Sequence, residues 1–196
     1  LDALRALSVF NGRTLWEKRL PGILAPYHQE HLMGVAGTGS NFCVHNDRVY
    51  VAIGNRCLCL NAADGATVGE LQAPPMPDGQ PGMWGYLACE DGTVFGSLAN
   101  QQHLVKYRFG RSDMSRLFTE SVLLFAMDAQ SGKVKWTYTP RNSIRHNAIA
   151  IGGGCVYLID RPLAAIDESA QAETKPGTAQ PPRAASPVSA EQPPGE

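Results

Sequence analysis

Apolar and polar residues along this chain change places every second position in short runs, and each run ends in a tight turn. The clearest case is AMDAQSGKVKW at 126–136. Phe125 and Met127 before the turn, and Val134 and Trp136 after it, alternate with small or polar neighbours, which is the period of half-buried strands. Asp128 opens the reversal with a side chain able to accept a backbone N–H two residues on, and Gly132 can take the positive φ a tight turn demands. The same reading places outer hairpins at 4–20, 56–72 and 121–139 and inner hairpins at 41–53, 85–98 and 148–159. The inner ones carry a valine–aromatic pair after the turn: Val49-Tyr50, Val94-Phe95 and Val156-Tyr157. Outside the connections no segment sustains a 3.6-residue period for three turns. The pattern therefore predicts an all-β chain in which two hairpins make one four-stranded antiparallel blade.

Superposing Gly12, Gly65 and Gly132 brings out an internal repeat. Ala6, Ser8, Gly12, Arg13 and Trp16 fall on Ala126, Asp128, Gly132, Lys133 and Trp136. Cys59, Asn61, Gly65 and Gly69 form a middle copy that lacks the tryptophan, and a fourth copy beginning at Ala165 and Asp167 breaks off where Gln171 takes the glycine position. The spacing A-x-D-x-x-T-G-K-x-x-W resembles the tryptophan-docking motif of pyrroloquinoline quinone (PQQ) type β-propellers, from which 126–136 departs only by Ser131 for threonine. The run RHNAIAIGGGCVYLIDR at 145–161 is similar to large bacterial PQQ-like repeat proteins. The resemblance spans roughly residues 4–167. It implies a propeller in which the tryptophan of one blade rests on the small Ala and Gly positions of a neighbour. Ala6, Gly12, Trp16, Gly65, Ala126, Asp128, Gly132 and Trp136 would then be structural docking positions, with Trp16 and Trp136 as the locks.

Propellers close with about 4–8 blades of roughly 40–50 residues each. Residues 1–167 are thus expected to form a partial β-propeller of about three blades, a segment of a longer protein that begins at Leu1 inside a strand-like run. Residues 168–196 are rich in Pro, Ala, Ser and Glu and hold no aromatic residue, a composition that predicts a disordered linker or tail. The stretch 99–120 intrudes between the second and third strands of a blade and is expected to be a solvated loop with a short helix at 112–118. In the connection at 21–39, His28 and His31 have a spacing that would place two imidazoles on one helical face, yet no helical period surrounds them and no third ligand is near, so they read as loop histidines.

The chain carries 17 basic and 18 acidic residues for a net charge of -1, which gives no electrostatic reason to expect nucleic acid or an anionic membrane as partner. Its apolar runs are strand-sized, well short of the roughly 20 residues of a membrane span. Cys43, Cys57, Cys59, Cys89 and Cys155 show no CxxC spacing. Cys57 and Cys59 would share a strand face with Cα atoms roughly 6.5–7 Å apart, at the edge of disulfide geometry. Buried small hydrophobes in a β core is the reading adopted for them.

Candidate chemistry gathers where the inner strands begin: Gly39-Ser40-Asn41, Trp84-Gly85-Tyr86 and Arg145-His146-Asn147 align within a residue of one another. Propellers place ligands at one mouth of the central channel, and Trp84, Arg145, His146 and Asn147 offer an indole, a cation, an imidazole and an amide that suit an anionic or planar ligand. Two functions remain open. One is a non-catalytic binding and interaction scaffold, with further blades of a parent propeller and a protein as partners and no cofactor. The other, implied by the resemblance, is part of a PQQ- and calcium-dependent quinoprotein alcohol or sugar dehydrogenase. That enzyme would want a catalytic aspartate, calcium ligands and in many members an adjacent Cys-Cys pair, which this sequence lacks. The resemblance also implies a periplasmic or cell-envelope location.

Overall fold

The computed structural model describes residues 2–23, 40–109 and 112–163, and side chains for these except 104–117. The described residues contain strands and turns and no helix. The histidines at 28 and 31, the connection around them, Gly39 and the tail at 168–196 lie outside the described residues.

The chain opens with a hairpin of β1 (Ala3–Leu7) and β2 (Thr14–Arg19). A four-stranded antiparallel meander follows, β3 (Phe42–His45), β4 (Arg48–Ile53), β5 (Arg56–Asn61) and β6 (Thr67–Gln72), in sequence order. Its central strands are buried on both faces. Val49, Val51, Leu58 and Leu60 pack with Leu20 and Ile23 on one side, while Tyr50, Ala52, Cys57 and Cys59 pack with Leu87, Phe125 and Met127 on the other. A strand covered twice needs no polar alternation. That is why RVYVAI and RCLCLN read as nearly continuous apolar runs.

The second sheet has six strands: β7 (Trp84–Glu90), β8 (Thr93–Ala99), β11 (Glu120–Asp128), β12 (Val134–Tyr138), β13 (Ser143–Gly152) and β14 (Cys155–Arg161). Strands β7, β8, β11 and β12 repeat the meander. Strand β13 then attaches to the head of β11 through Glu120↔Arg145 and Ser121↔Ile144, on the edge that β12 occupies further along. The stretch between β8 and β11 corrects the expected loop and helix: β9 (Leu104–Phe109) and β10 (Ser112–Phe118) form a separate antiparallel hairpin. The reason is visible in LVKYRF, whose β-branched and aromatic residues alternate with cations at strand period and supply a partner for 112–118.

The repeated turns have one geometry. Gly12, Gly65 and Gly132 have φ of 69, 73 and 70°, and each donates its N–H to the carbonyl four residues earlier, on Ser8, Asn61 and Asp128, at 2.8–2.9 Å. The register shifts after Ala6, Cys59 and Ala126 in the same way, so Trp16, Gly69 and Trp136 occupy one structural position in three hairpins.

Between the first hairpin and the meander, that position makes the seam. The Trp16 indole lies over Gly65, where a Cβ would be 2.7 Å from ring atom Cε3, and its Nε1–H donates to the Ala62 carbonyl at 2.9 Å. Lys18 adds a bond to the Gly65 carbonyl at 2.9 Å. Trp136 is 40% exposed and touches Phe95 of its own sheet, with ring centroids 6.1 Å apart. The copy it would dock on by the same rule begins at residue 165, outside the described residues.

Candidate functional site

Two inner strands begin within a residue of the expected starts at 41 and 85, β3 at Phe42 and β7 at Trp84, and the third begins earlier than the expected 148. Strand β13 starts at Ser143, so Arg145, His146 and Asn147 lie inside it, in a stretch where the register shifts between Ile144 and Ile149. Strand β7 has the matching irregularity between Trp84 and Leu87, and there the Tyr86 N–H donates to the Ser97 hydroxyl at 2.8 Å. Bulges of this kind redirect side chains. Here Trp84 and His146 are buried, Arg145 is partly buried and Asn147 stays exposed.

Trp84 is buried, not displayed at a mouth. Its ring meets Phe125 edge-on with centroids 5.0 Å apart at 65° and lies on Gly96, where a Cβ would collide with both rings. His146 is buried against Gly85, whose missing side chain leaves room for the imidazole. Its Nε2 lies 3.0 Å from the Glu120 carbonyl, an acceptor, so the ring proton sits on Nε2 and Nδ1 is left as the lone-pair atom. Burial lowers the His146 pKa to about 4, partly opposed by the bond to the Glu120 carbonyl, so the ring is neutral near pH 7.

The centre of the cluster is Glu120, which the sequence pattern did not single out. It is fully buried at the head of β11. Oε2 accepts from the Ser143 hydroxyl at 2.7 Å, and Oε1 accepts from Arg145 Nε at 2.9 Å and Arg161 Nη2 at 3.0 Å. Its backbone carbonyl also accepts from the Asn100 N–H at 2.6 Å. A buried carboxylate persists when its lone pairs are met in this way. The signal that could have located it is Arg145 and Arg161 themselves, near the two ends of one hairpin. An antiparallel return brings such residues to the same end of the sheet, where an acid must meet them.

The other nominated residues do not join the cluster. Asn41 is a buried peg whose Nδ2 donates to the Ile23 carbonyl at 2.8 Å and the Ala52 carbonyl at 3.3 Å. Ser40 is exposed and bonds locally to Phe42, and Asn147 is exposed. Asp128 holds its own turn, accepting from Ser131 N and Oγ at 2.8 Å each, with Gln130 N at 3.2 Å. The Ser131 bonds are the main reason its pKa lies below the ordinary aspartate value.

Calcium and PQQ do not fit this arrangement. Calcium takes about six to eight oxygen ligands, and among the described residues no group of three or more His, Cys, Asp or Glu is placed to hold a metal. A cation approaching Glu120 would meet two guanidinium groups. A planar cofactor would need an open aromatic face, and Trp84 has both of its rings' neighbours inside the core. Four of the five thiols are equally unsuited to chemistry. Burial pushes Cys43 up to about 12 and raises Cys57, Cys59 and Cys89 as well, and Cys155 alone is exposed.

Among solved structures, similar ones are the quinohemoprotein alcohol dehydrogenase of Comamonas testosteroni (17% identity over 70% of this chain and 18% of that chain, TM-score 0.44), a europium-containing methanol dehydrogenase (11%, 71% and 22%, TM-score 0.43), and BamB of Moraxella catarrhalis (11%, 82% and 43%, TM-score 0.40). The chain spans 18–22% of the length of these dehydrogenases. Quinoprotein dehydrogenases, the enzyme class implied by the tryptophan-docking resemblance, are thus among the structural neighbours. No family model and no curated protein matches the sequence.

Proposed function

We propose that this chain is a propeller repeat segment serving as a non-catalytic binding and interaction scaffold. Its partners would be further blades and a protein, in the cell envelope. One observation carries the reading: the charged groups at the start of β13 are spent on a buried acid of β11. Glu120 accepts from Ser143, Arg145 and Arg161, and these three donors come from β13 and β14 while the acceptor sits on β11. The cluster therefore fastens one hairpin to the head of the preceding meander, where only two backbone residue pairs join them.

A general base needs a free lone pair within reach of a substrate proton. Glu120 has none directed outward, and His146 Nδ1 is enclosed. No helix among the described residues is long and apolar enough to cross a bilayer. The test is dye-linked oxidation of short alcohols and of glucose by the purified chain, supplied with PQQ and calcium. The scaffold reading expects no turnover above the protein-free blank. Calcium-dependent turnover would establish the dehydrogenase reading in its place.

A further inference from the structure

Three hairpins share one docking position, and only two of them fill it with tryptophan. In the third, Gly69 stands opposite Cys59 in the register that pairs Trp16 with Ala6 and Trp136 with Ala126. Its backbone is not in the left-handed region, and a Cβ there would meet nothing nearer than the Cys59 Cβ at 3.9 Å. Space lies where the indole would be. A cleft of about 370 Å³ opens at this seam, lined by Gly69, Tyr50, Cys59, Leu71 and Ala129 with Arg48 beside them. That volume is at the lower end of the roughly 300–1,000 Å³ of small-molecule sites.

The opposite wall keeps the features that receive Trp16 at the first seam. Ala129 stands to Gly132 as Ala62 stands to Gly65, and the two turns have the same hydrogen bonds. The Ala62 carbonyl is the acceptor for the Trp16 Nε1–H. Gly65 is buried under the indole, whereas Gly132 is half-buried and covered only in part by Leu71, whose Cδ2 would lie 3.3 Å from an added Cβ. The backbone of the receptor turn is thus retained and its resident ring is missing; Leu71 takes the place over Gly132, and Ala129 and Gln130 form this wall of the cleft. We propose that this cleft binds a small planar aromatic molecule carrying a ring N–H, of which indole is the simplest, with the Ala129 carbonyl as acceptor and the Tyr50, Cys59 and Leu71 side chains as walls.

The site shares no residue with the Glu120 cluster. Isothermal titration of the full 196-residue chain with indole, and separately with 1-methylindole, tests it. Saturable indole binding is expected, weaker for the methylated ring and lost in Gly69→Trp, whose own side chain fills the cleft and raises the urea midpoint. Gly69→Leu blocks the same space with a smaller group and is expected to lose binding too, which keeps the test decisive if the tryptophan variant folds poorly. Absence of saturable heat with indole on the folded wild type overturns the proposal, as does undiminished binding in Gly69→Leu. Equal affinity for 1-methylindole overturns the assigned acceptor.

Discussion

Trp136, the expected docking lock, and Trp84, the expected ligand-site residue, should differ sharply in what their removal costs. Trp84 is 6% exposed and encloses itself between Phe125 and Gly96. Truncating a ring so enclosed removes its transfer free energy and leaves a cavity, together about 3–5 kcal/mol. Loss of the edge-on contact with Phe125 adds about 0.5–1.5 kcal/mol. Trp136 keeps 40% of its surface in water and leans on Phe95 from one side. Its removal opens no enclosed void, so only the transfer part applies. At about 25 cal/mol per Å² over roughly 100 Å² this comes to about 2.5 kcal/mol. Urea melts of Trp84→Ala and Trp136→Ala, compared at equal m-values, should therefore differ by at least about 1 kcal/mol, with Trp84→Ala the less stable. Equal losses, or the larger loss at Trp136, would refute the burial argument.

Other outcomes follow from the same contacts. Gly65→Ala should cost about 1–3 kcal/mol more than Gly12→Ala, since both carry the positive-φ penalty but only Gly65 has Trp16 against it; chemical melts of the pair measure the difference. With a thiol reagent at pH 8, Cys155 should react quickly while Cys43, Cys57, Cys59 and Cys89 react only on unfolding, since burial keeps these thiols protonated. The His146 imidazole binds its proton more weakly in the folded chain than in the unfolded one. Between its unfolded value of 6.5 and about 4 the unfolded state holds more protons, so stability should fall as pH drops through that window. Urea midpoints at pH 7 and pH 5 should show the decline, and His146→Gln should lessen it.

The hairpins were legible because each rests on local chemistry. Glycine after a polar turn opener fixes Gly12, Gly65 and Gly132, and alternation fixes the strands on either side. In place of the helix expected at 112–118 there is a strand, because 104–109 supplies a β partner and pairing between segments is a tertiary choice. The candidate site was legible as a set of residues and not as an arrangement. Arg145 and His146 share β13, and the His146 imidazole reaches Gly85, next to Trp84 on β7 at the far edge of the sheet, yet this arrangement depends on Gly85 accepting an imidazole and on an acid from β11. Nothing in the alternation of ESVLLFAMD marks Glu120 as buried, because strand-head acids are usually solvated. The missing tryptophan at Gly69 was visible in the repeat, but its consequence, a cleft with a retained receptor wall, required the second blade to be in place.

Glu120 provides the most direct test of whether the cluster fastens blades or serves chemistry. Glu120→Gln keeps the shape and removes the charge, leaving Arg145 and Arg161 without their shared carboxylate. Breaking a fully buried pair costs about 3–5 kcal/mol, and the guanidinium groups, each 29% exposed, recover part of that by turning to water. A urea melt at pH 7 should show a loss of about 2–4 kcal/mol. Groups retained for catalysis tend to hold a fold below its best stability, and replacing them is neutral or stabilising. An unchanged or higher midpoint for Glu120→Gln would contradict the fastener and point back to a functional carboxylate.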